Sequence, residues 1–327
     1  KSFYFNHWLT PDTNNHNPFA GSSSFTLKDY LMQEHASQEL IDILGALNYM
    51  LIGSKADEVP FNVHAFVLGG LYHSPGFFTV NGIYRLLANF KRELAKFGAN
   101  LFLNSEIAEI ITGNDRNVIG VKTLSGNQYF STTVVASFNP KLLNEILAKQ
   151  MIRPIYRRRL VEAENTCGLY GAFYKINDPQ AIELDNFVYY NKNLDTILGV
   201  LVNHSGTNKT MGVFLADVDR KIPTGIEERK NRAALHLNLM ENLIYEIFPE
   251  FKDRLILLDF LKPWSFERYT KTVNGAAYGI KQTINQLGFQ HRVPIQGLYL
   301  VGQAIYPGFL GSMISGFSLA CELFCTD

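Results

Sequence analysis

Apolar positions recur at helical spacing in several parts of the chain and predict helices there. The first part runs from Thr26 to Ile52 and fits one or two helices. The second begins at Asn81-Gly82 and ends at Gly98, which is a typical glycine stop. A basic stretch from Lys149 to Arg159 and an amphipathic stretch from Glu227 to Phe248 predict two more helices.

Short runs rich in β-branched and aromatic residues predict strands in two groups. The first group forms a small β-meander directly after the second helix, at 101–103, 107–112, 118–124, 128–130 and 133–136. The second group lies around the helix at 227–248 and comprises 168–176, 187–190, 197–202, 211–216 and 255–261. We expect that helix to pack on an antiparallel sheet formed by the second group.

The segment from Gly297 to Phe317 combines an apolar strand, a turn rich in glycine and a helix that opens with glycine. Such a junction brings a strand end and a helix N-terminus to one point, where backbone N–H groups can meet a phosphate or an electron-rich ring. The junction therefore predicts a cofactor-binding domain. Since the second group of strands precedes it, this domain is expected to be discontinuous.

The composition is that of a globular protein large enough for two domains. Its 327 residues are 46% hydrophobic, and 30 basic residues balance 30 acidic ones. The zero net charge gives no electrostatic support for a nucleic-acid partner. Scattered histidines and the lack of metalloprotease and nucleophile-elbow motifs predict neither a metal site nor a hydrolase. Three cysteines, without a recognisable signal peptide, favour a cytoplasmic location.

Four arginines, Arg153, Arg157, Arg158 and Arg159, lie close together on one predicted helix. Such a cluster is most often a solvated helix face, but it also fits an anionic lipid surface. Peripheral membrane contact therefore remains open as an alternative.

Three segments together resemble the phytoene desaturase and carotenoid isomerase group of FAD-dependent oxidoreductases, within the amine-oxidase superfamily. They are the junction at 297–317, the segment 98–137 and the stretch 268–279. The resemblance implies an α/β fold with an FAD/NAD(P)-binding Rossmann-like domain, which is interrupted by an α+β substrate domain of antiparallel sheet plus helix. We place a helical substrate-side segment at 1–70, the FAD-binding domain at 71–140 and 263–327, and the substrate domain at 141–262.

The resemblance also assigns the contacts of FAD. The backbone of Ile107 would meet the adenine, and Gly302 and Gln303 would lie beside the pyrophosphate and ribityl chain. Residues at the start of the last helix would direct N–H groups at the pyrimidine edge of the flavin. The expected cofactor-binding residues are Asn81, Gly82, Ile107, Gly302, Gln303, Gly311, Ser312, Met313 and Ile314.

The implied chemistry is hydride transfer between FAD and a small apolar substrate, isoprenoid, carotenoid or lipid-like, in a desaturation, saturation or isomerisation. Because the flavin carries the difficult step, few catalytic side chains are needed. Glu267 and Arg268 are the charged pair next to the proposed flavin region and are the catalytic candidates. The expected substrate wall consists of the aromatic residues Tyr170, Phe173, Tyr174, Phe187, Tyr189 and Tyr190.

Two other functions are compatible with the sequence. The dinucleotide fingerprint Gly-x-Gly-x-x-Gly is absent from these 327 residues. This absence motivates a non-catalytic prenyl- or lipid-binding protein that keeps the flavoprotein fold, as in the Rab GDP-dissociation inhibitors. A flavin amine oxidase would need an aromatic cage, for which Tyr269, Tyr278 and Tyr306 are candidates.

The chain begins at Lys1 with a polar, turn-rich stretch, which predicts that an earlier segment has been removed.

Overall fold

The computed structural model describes residues 24–73, 83–177, 187–193, 196–203, 209–217, 221–286, 288–306 and 308–324. The helices are α1 (Leu27–Gln33), α2 (Gln38–Ile52), α3 (Phe61–His73), α4 (Ile83–Lys96), α5 (Leu143–Ile146), α6 (Pro154–Glu162), α7 (Ile226–Ile247), α8 (Pro263–Thr270) and α9 (Gly308–Phe324). The strands are β1 (Ile107–Thr112), β2 (Val118–Thr123), β3 (Gln128–Phe130), β4 (Val134–Ala136), β5 (Gly168–Ile176), β6 (Phe187–Asn193), β7 (Thr196–Asn203), β8 (Thr210–Asp217), β9 (Leu255–Leu261) and β10 (Leu298–Leu300).

These strands form three sheets, and the predicted α/β fold is confirmed. Strands β1, β2 and β3 form an antiparallel meander, β4 pairs with β10 in parallel, and the antiparallel third sheet has the order β6-β7-β8-β5-β9. The prediction of a strand at 101–103 is wrong, because no described strand runs beside this segment to complete a ladder. Its side chains Leu101, Phe102 and Leu103 are exposed.

The large antiparallel sheet packs one face against α7, as predicted. Alternate residues of β5, including Tyr170 and Tyr174, share a buried cluster with Met240, Leu243 and Ile244 of α7. The alternation follows from the strand period of two, which directs successive side chains to opposite faces. The residues that alternate with them on β5 therefore lie on the other face of the sheet.

The meander is joined to the parallel sheet near the start of β10. The Val118 N–H donates to the Gln296 carbonyl at 2.8 Å, and the Val134 N–H donates to the Gly297 carbonyl at 2.8 Å. Buried residues of both sheets, among them Ile110, Leu298 and Leu300, belong to one core cluster. These contacts hold the elements around Ile107 and the C-terminal junction in one packed unit.

The N-terminal helices pack on one another and are tied to the C-terminal part of the chain. Thr26 begins α1 with a reciprocal capping box to Asp29. Lys281, only 2% exposed, forms an ion pair with Glu58, which precedes α3. Helix α3 itself is a helix that the periodicity did not predict, because it is apolar on nearly all sides.

Gly98 stops helix α4 as predicted, just beyond its last residue Lys96, but the apolar side of the helix is exposed. Gly98 has φ +71°, and the Ala99 N–H donates to the Leu94 carbonyl at 2.9 Å, which closes the helix end. The α4 apolar face is defined here as Ile83, Leu87, Phe90 and Leu94, which are 44–49% exposed. No residue of α4 is buried. No helix in the described part of the chain is both long and apolar enough to cross a membrane.

Candidate functional site

The C-terminal junction consists of β10, a tight turn and α9. Leu298 and Leu300 of β10 are 1% exposed and fix the strand in the core. After the strand, Gly302 adopts φ +99°, and its carbonyl accepts from the Ile305 N–H at 3.0 Å. The chain therefore reverses within a few residues and enters α9 at Gly308.

A serine of α9 holds this turn in place. The Gly302 N–H donates to the hydroxyl oxygen of Ser315 at 2.7 Å, and that hydroxyl donates to the Ser312 carbonyl at 2.7 Å. Ser315 is completely buried. Strand end and helix are thus connected by one side chain that the sequence analysis did not identify.

Two glycines of the junction have different roles. A Cβ on Gly311 would lie 2.7 Å from the backbone carbonyl of Tyr306, so glycine is required there for internal packing. A Cβ on Gly302 would meet nothing closer than the Ser137 carbonyl oxygen at 3.7 Å. These are ordinary contact distances, so packing among the described residues does not require glycine at 302. Its positive φ does favour glycine, and the missing side chain lets a ligand approach the backbone closely.

The side chain of Gln303 extends toward the loop at 277–279. Its Nε2 lies 3.5 Å from the Ala277 carbonyl oxygen. Next in this loop, the Tyr278 hydroxyl donates to the Met50 carbonyl of α2. Burial raises the pKa of Tyr278, so the phenol stays neutral and acts as a fixed donor. The turn after β10 is therefore positioned from the side of the N-terminal helices.

The start of α9 differs from the expected one. The helix begins at Gly308, four residues before Ser312, so the N–H groups without a partner in the helix are those of 308–311. Ser312 lies in the second turn, where its hydroxyl donates to the Gly308 carbonyl at 2.9 Å. Met313 is 44% exposed, whereas Ile314 packs against the core. Contact of Ser312, Met313 and Ile314 with FAD remains a prediction.

Ile107 is the first residue of β1 and pairs with Thr123 of β2. It is half-buried, so part of its surface stays accessible. The adenine contact of its backbone remains a prediction. Asn81 and Gly82 lie outside the described residues.

The catalytic candidates lie on α8. Glu267 is half-buried, and Arg268 is exposed with its guanidinium 5.3 Å from the centre of the Tyr269 ring. Their positions on one short helix do not indicate that the two side chains act on the same atom of a substrate, so their catalytic role remains a prediction.

The large sheet presents an aromatic wall on the face opposite α7. Phe173 and Phe214 lie on this face, with ring centres 5.8 Å apart in a T-shaped pair. The Phe214 ring covers Gly171 and Gly212, whose Cβ positions would lie 3.2–3.3 Å from it. Tyr170 and Tyr174, expected in a substrate wall, point instead into the core with α7 and are at most 1% exposed.

The three tyrosines considered for an aromatic cage are not brought together. Tyr306 belongs to the core cluster below the parallel sheet, Tyr278 packs with a different cluster beside α2, and Tyr269 is 74% exposed. In the described residues, no three His, Cys, Asp or Glu side chains are grouped for metal binding.

Comparisons with known proteins identify the fold. The chain matches putrescine oxidase bound to putrescine with a TM-score of 0.70 and 15% identity, over 95% of this chain and 71% of that one. An oxidoreductase from Methanosarcina mazei matches with a TM-score of 0.68 and 14% identity, over 92% of this chain and 69% of that one. For cyclohexylamine oxidase from Brevibacterium oxydans these values are 0.59, 16%, 98% and 70%.

At the level of sequence, no protein-family model matches the chain. No curated protein matches it either. The structural likeness nevertheless covers almost the whole chain, so the chain has the fold of these oxidoreductases.

Proposed function

We propose that this chain is an FAD-dependent oxidoreductase and that the turn after β10 forms part of its flavin site. The observation that carries the proposal is the Gly302 turn, which Ser315 holds in place and where an added Cβ would meet no described protein atom closer than 3.7 Å. The likeness in fold to putrescine oxidase and cyclohexylamine oxidase supports the same conclusion.

The residues at the junction fit the chemistry of a dinucleotide. Gly302 and Gln303 would lie beside the pyrophosphate and ribityl chain, where the missing side chain of Gly302 permits close approach. The N–H groups at 308–311, with the positive end of the α9 dipole, would stabilise negative charge on the bound group. When bound, FAD supplies the hydride acceptor or donor. The residues of the chain would bind FAD and the substrate, orient them toward each other and exclude water from the space between them.

The dinucleotide fingerprint is not among these 327 residues. We propose that the strands that carry it in a complete site add to the free edge of β4, which in the described part of the chain pairs with β10 alone. A parallel sheet is normally covered on both faces, and the exposed α4 apolar face is suited to covering such added strands. The 327 residues alone are therefore expected to bind FAD more weakly than a chain with the fingerprint does.

An apolar substrate is supported by the aromatic wall of the large sheet. On β5 and β8, Phe173 and Phe214 lie on one face of the sheet, where the missing side chains of Gly171 and Gly212 let the Phe214 ring pack flat over the strands. Such a surface contacts a flat polyene or an alkyl chain through dispersion and burial of apolar area. We therefore favour an isoprenoid or other lipid-like substrate.

Amine oxidation is the second candidate, supported by the names of two structural neighbours. Against it stand Tyr269, Tyr278 and Tyr306, which lie in separate environments.

Anaerobic reduction of the FAD-loaded protein separates the two functions. Bleaching of the flavin band by an isoprenoid polyene in detergent, but not by putrescine or cyclohexylamine, is the expected result. Bleaching by the amines alone would overturn the choice of substrate. Polyene binding without FAD uptake would favour the non-catalytic lipid-binding alternative.

A further inference from the structure

An open cleft of about 930 Å³ lies between α6 and the residues at 285–286 and 289–294. Four arginines and a single glutamate line it. It is therefore locally positive, although the chain as a whole has no net charge. The charged residues of this arginine cleft are Arg153, Arg158, Arg159, Arg292 and Glu162.

Two of the arginines are fixed by the protein. The Arg159 guanidinium lies 4.8 Å from the centre of the Phe289 ring and donates to the Gly288 carbonyl at 3.1 Å. Arg292 pairs with Glu322 at 2.5 Å, which raises the pKa of Arg292. These contacts orient both guanidinium groups in the cleft.

The other two arginines are available to a partner. Arg153 is exposed at the start of α6. Arg158 approaches Glu162 at 3.9 Å, but both side chains are more than two-thirds exposed, so the pair contributes little. Arg153 and Arg158 thus line the cleft as solvated cationic groups, with Glu162 as a weak partner of Arg158.

Exposed apolar side chains lie on the same helix as these charges. Ile155 is 71% exposed and Val161 is 63% exposed, and both are on α6. Arginine next to exposed aliphatic side chains is typical of a surface that lies at the headgroup boundary of a bilayer, where charge binds phosphate and the aliphatic group enters the acyl region. A soluble anion would make no use of Ile155.

We propose that the arginine cleft and the exposed side of α6 bind acidic phospholipids at a membrane surface. Arg153 and Arg158 contact the headgroup phosphates, and Ile155 enters the boundary between headgroups and acyl chains. This binding does not require FAD. It holds the protein at the membrane, in which the apolar substrate of the proposed function dissolves.

The test is sedimentation of the full chain with vesicles of phosphatidylcholine alone or with added phosphatidylserine. We expect binding to the acidic vesicles only, weakened by salt. Arg153→Glu with Arg158→Glu should weaken binding at least about tenfold, and Ile155→Ser about fivefold. The matched control is Lys230→Glu with Lys252→Glu, two exposed lysines whose reversal changes the net charge equally and should leave binding within about twofold.

Three results would overturn the proposal. The first is no binding to acidic vesicles by the wild-type chain. The second is equal weakening in the lysine control, which would indicate an effect of net charge alone. The third is binding of inorganic phosphate that depends on Arg153 and Arg158, combined with no vesicle binding that depends on Ile155. Circular dichroism of each variant verifies that it is folded.

Discussion

At the residue scale, the Ser315 hydroxyl connects the turn after β10 to α9. Ser315→Ala removes the acceptor of the Gly302 N–H. We expect a loss of about 1–2 kcal/mol in the free energy of unfolding, because a part-buried donor then lacks its partner. Urea unfolding of the FAD-free protein measures it. The control is Ser312→Ala, which loses only a bond within the helix and should change the value by at most about 0.5 kcal/mol. Equal losses in the two variants would contradict this role.

His64 gives the fold a defined dependence on pH. Burial lowers the pKa of His64 to about 4, and its Nδ1 accepts from the Asn48 amide at 2.7 Å. The unfolded chain therefore binds more protons between about pH 6.5 and pH 4, so stability is present above this window and is lost as the pH falls through it. Between about pH 7.5 and pH 5 we expect a loss of about 2 kcal/mol.

The variant His64→Gln tests this dependence, because its amide oxygen can accept from Asn48 but does not titrate. Unfolding by urea at both pH values should give a flatter profile for the variant than for the parent. The same slope in both proteins would exclude His64 as the cause.

Single residues also show what the sequence could and could not predict. The sequence identified Gly302 and Gly311 as members of one glycine-rich junction. It could not show that an added Cβ would be tolerated by the packing at Gly302 but not at Gly311, because the close contact at Gly311 depends on how the turn closes on Tyr306. Nor could it identify Ser315, whose role appears only when strand and helix meet.

At the element scale, the α4 apolar face has no cover in the described structure. We expect Leu87→Gln and Phe90→Gln to change the free energy of unfolding by no more than about 0.5 kcal/mol. They should also reduce self-association, since they interrupt an exposed apolar patch. The control Leu298→Gln, at a position 1% exposed, should cost about 2–5 kcal/mol. Unfolding curves and light scattering measure both effects, and a large loss at Leu87 would show that α4 packs in solution.

Elements whose pattern depends on local periodicity were predictable from the sequence. Helix α7 and strands β5 and β9 begin and end within a residue or two of their expected positions. The segment at 101–103 has strand-like residues but forms no strand, because a ladder needs a neighbour that a local pattern cannot supply. The start of α9 was also misplaced. It was expected near Ser312 but lies at Gly308, since either of two glycines, at 308 and 311, could open the helix.

At the scale of the whole molecule, long-range contacts connect parts that are distant in sequence. Lys281 pairs with Glu58, Tyr278 with the Met50 carbonyl, and Gln296 with Val118. Together they set the turn after β10 between the meander and the N-terminal helices. The sequence predicted the fold class, which is confirmed, whereas this arrangement required the structure. The position of the site stays a prediction.

The central claim is that the Gly302 turn receives FAD. Its most direct test is titration of the purified chain with FAD, followed by flavin absorbance, for the parent and for Gly302→Ala. The control Gly98→Ala has a similarly positive φ, +71° against +99°, and lies at the end of α4, where an added Cβ would meet no described atom within 4 Å. Both alanines should cost about 1–3 kcal/mol through backbone strain. We predict saturable FAD uptake by the parent and by Gly98→Ala, and its loss in Gly302→Ala. No uptake by the parent, or unchanged uptake by Gly302→Ala, would contradict the account.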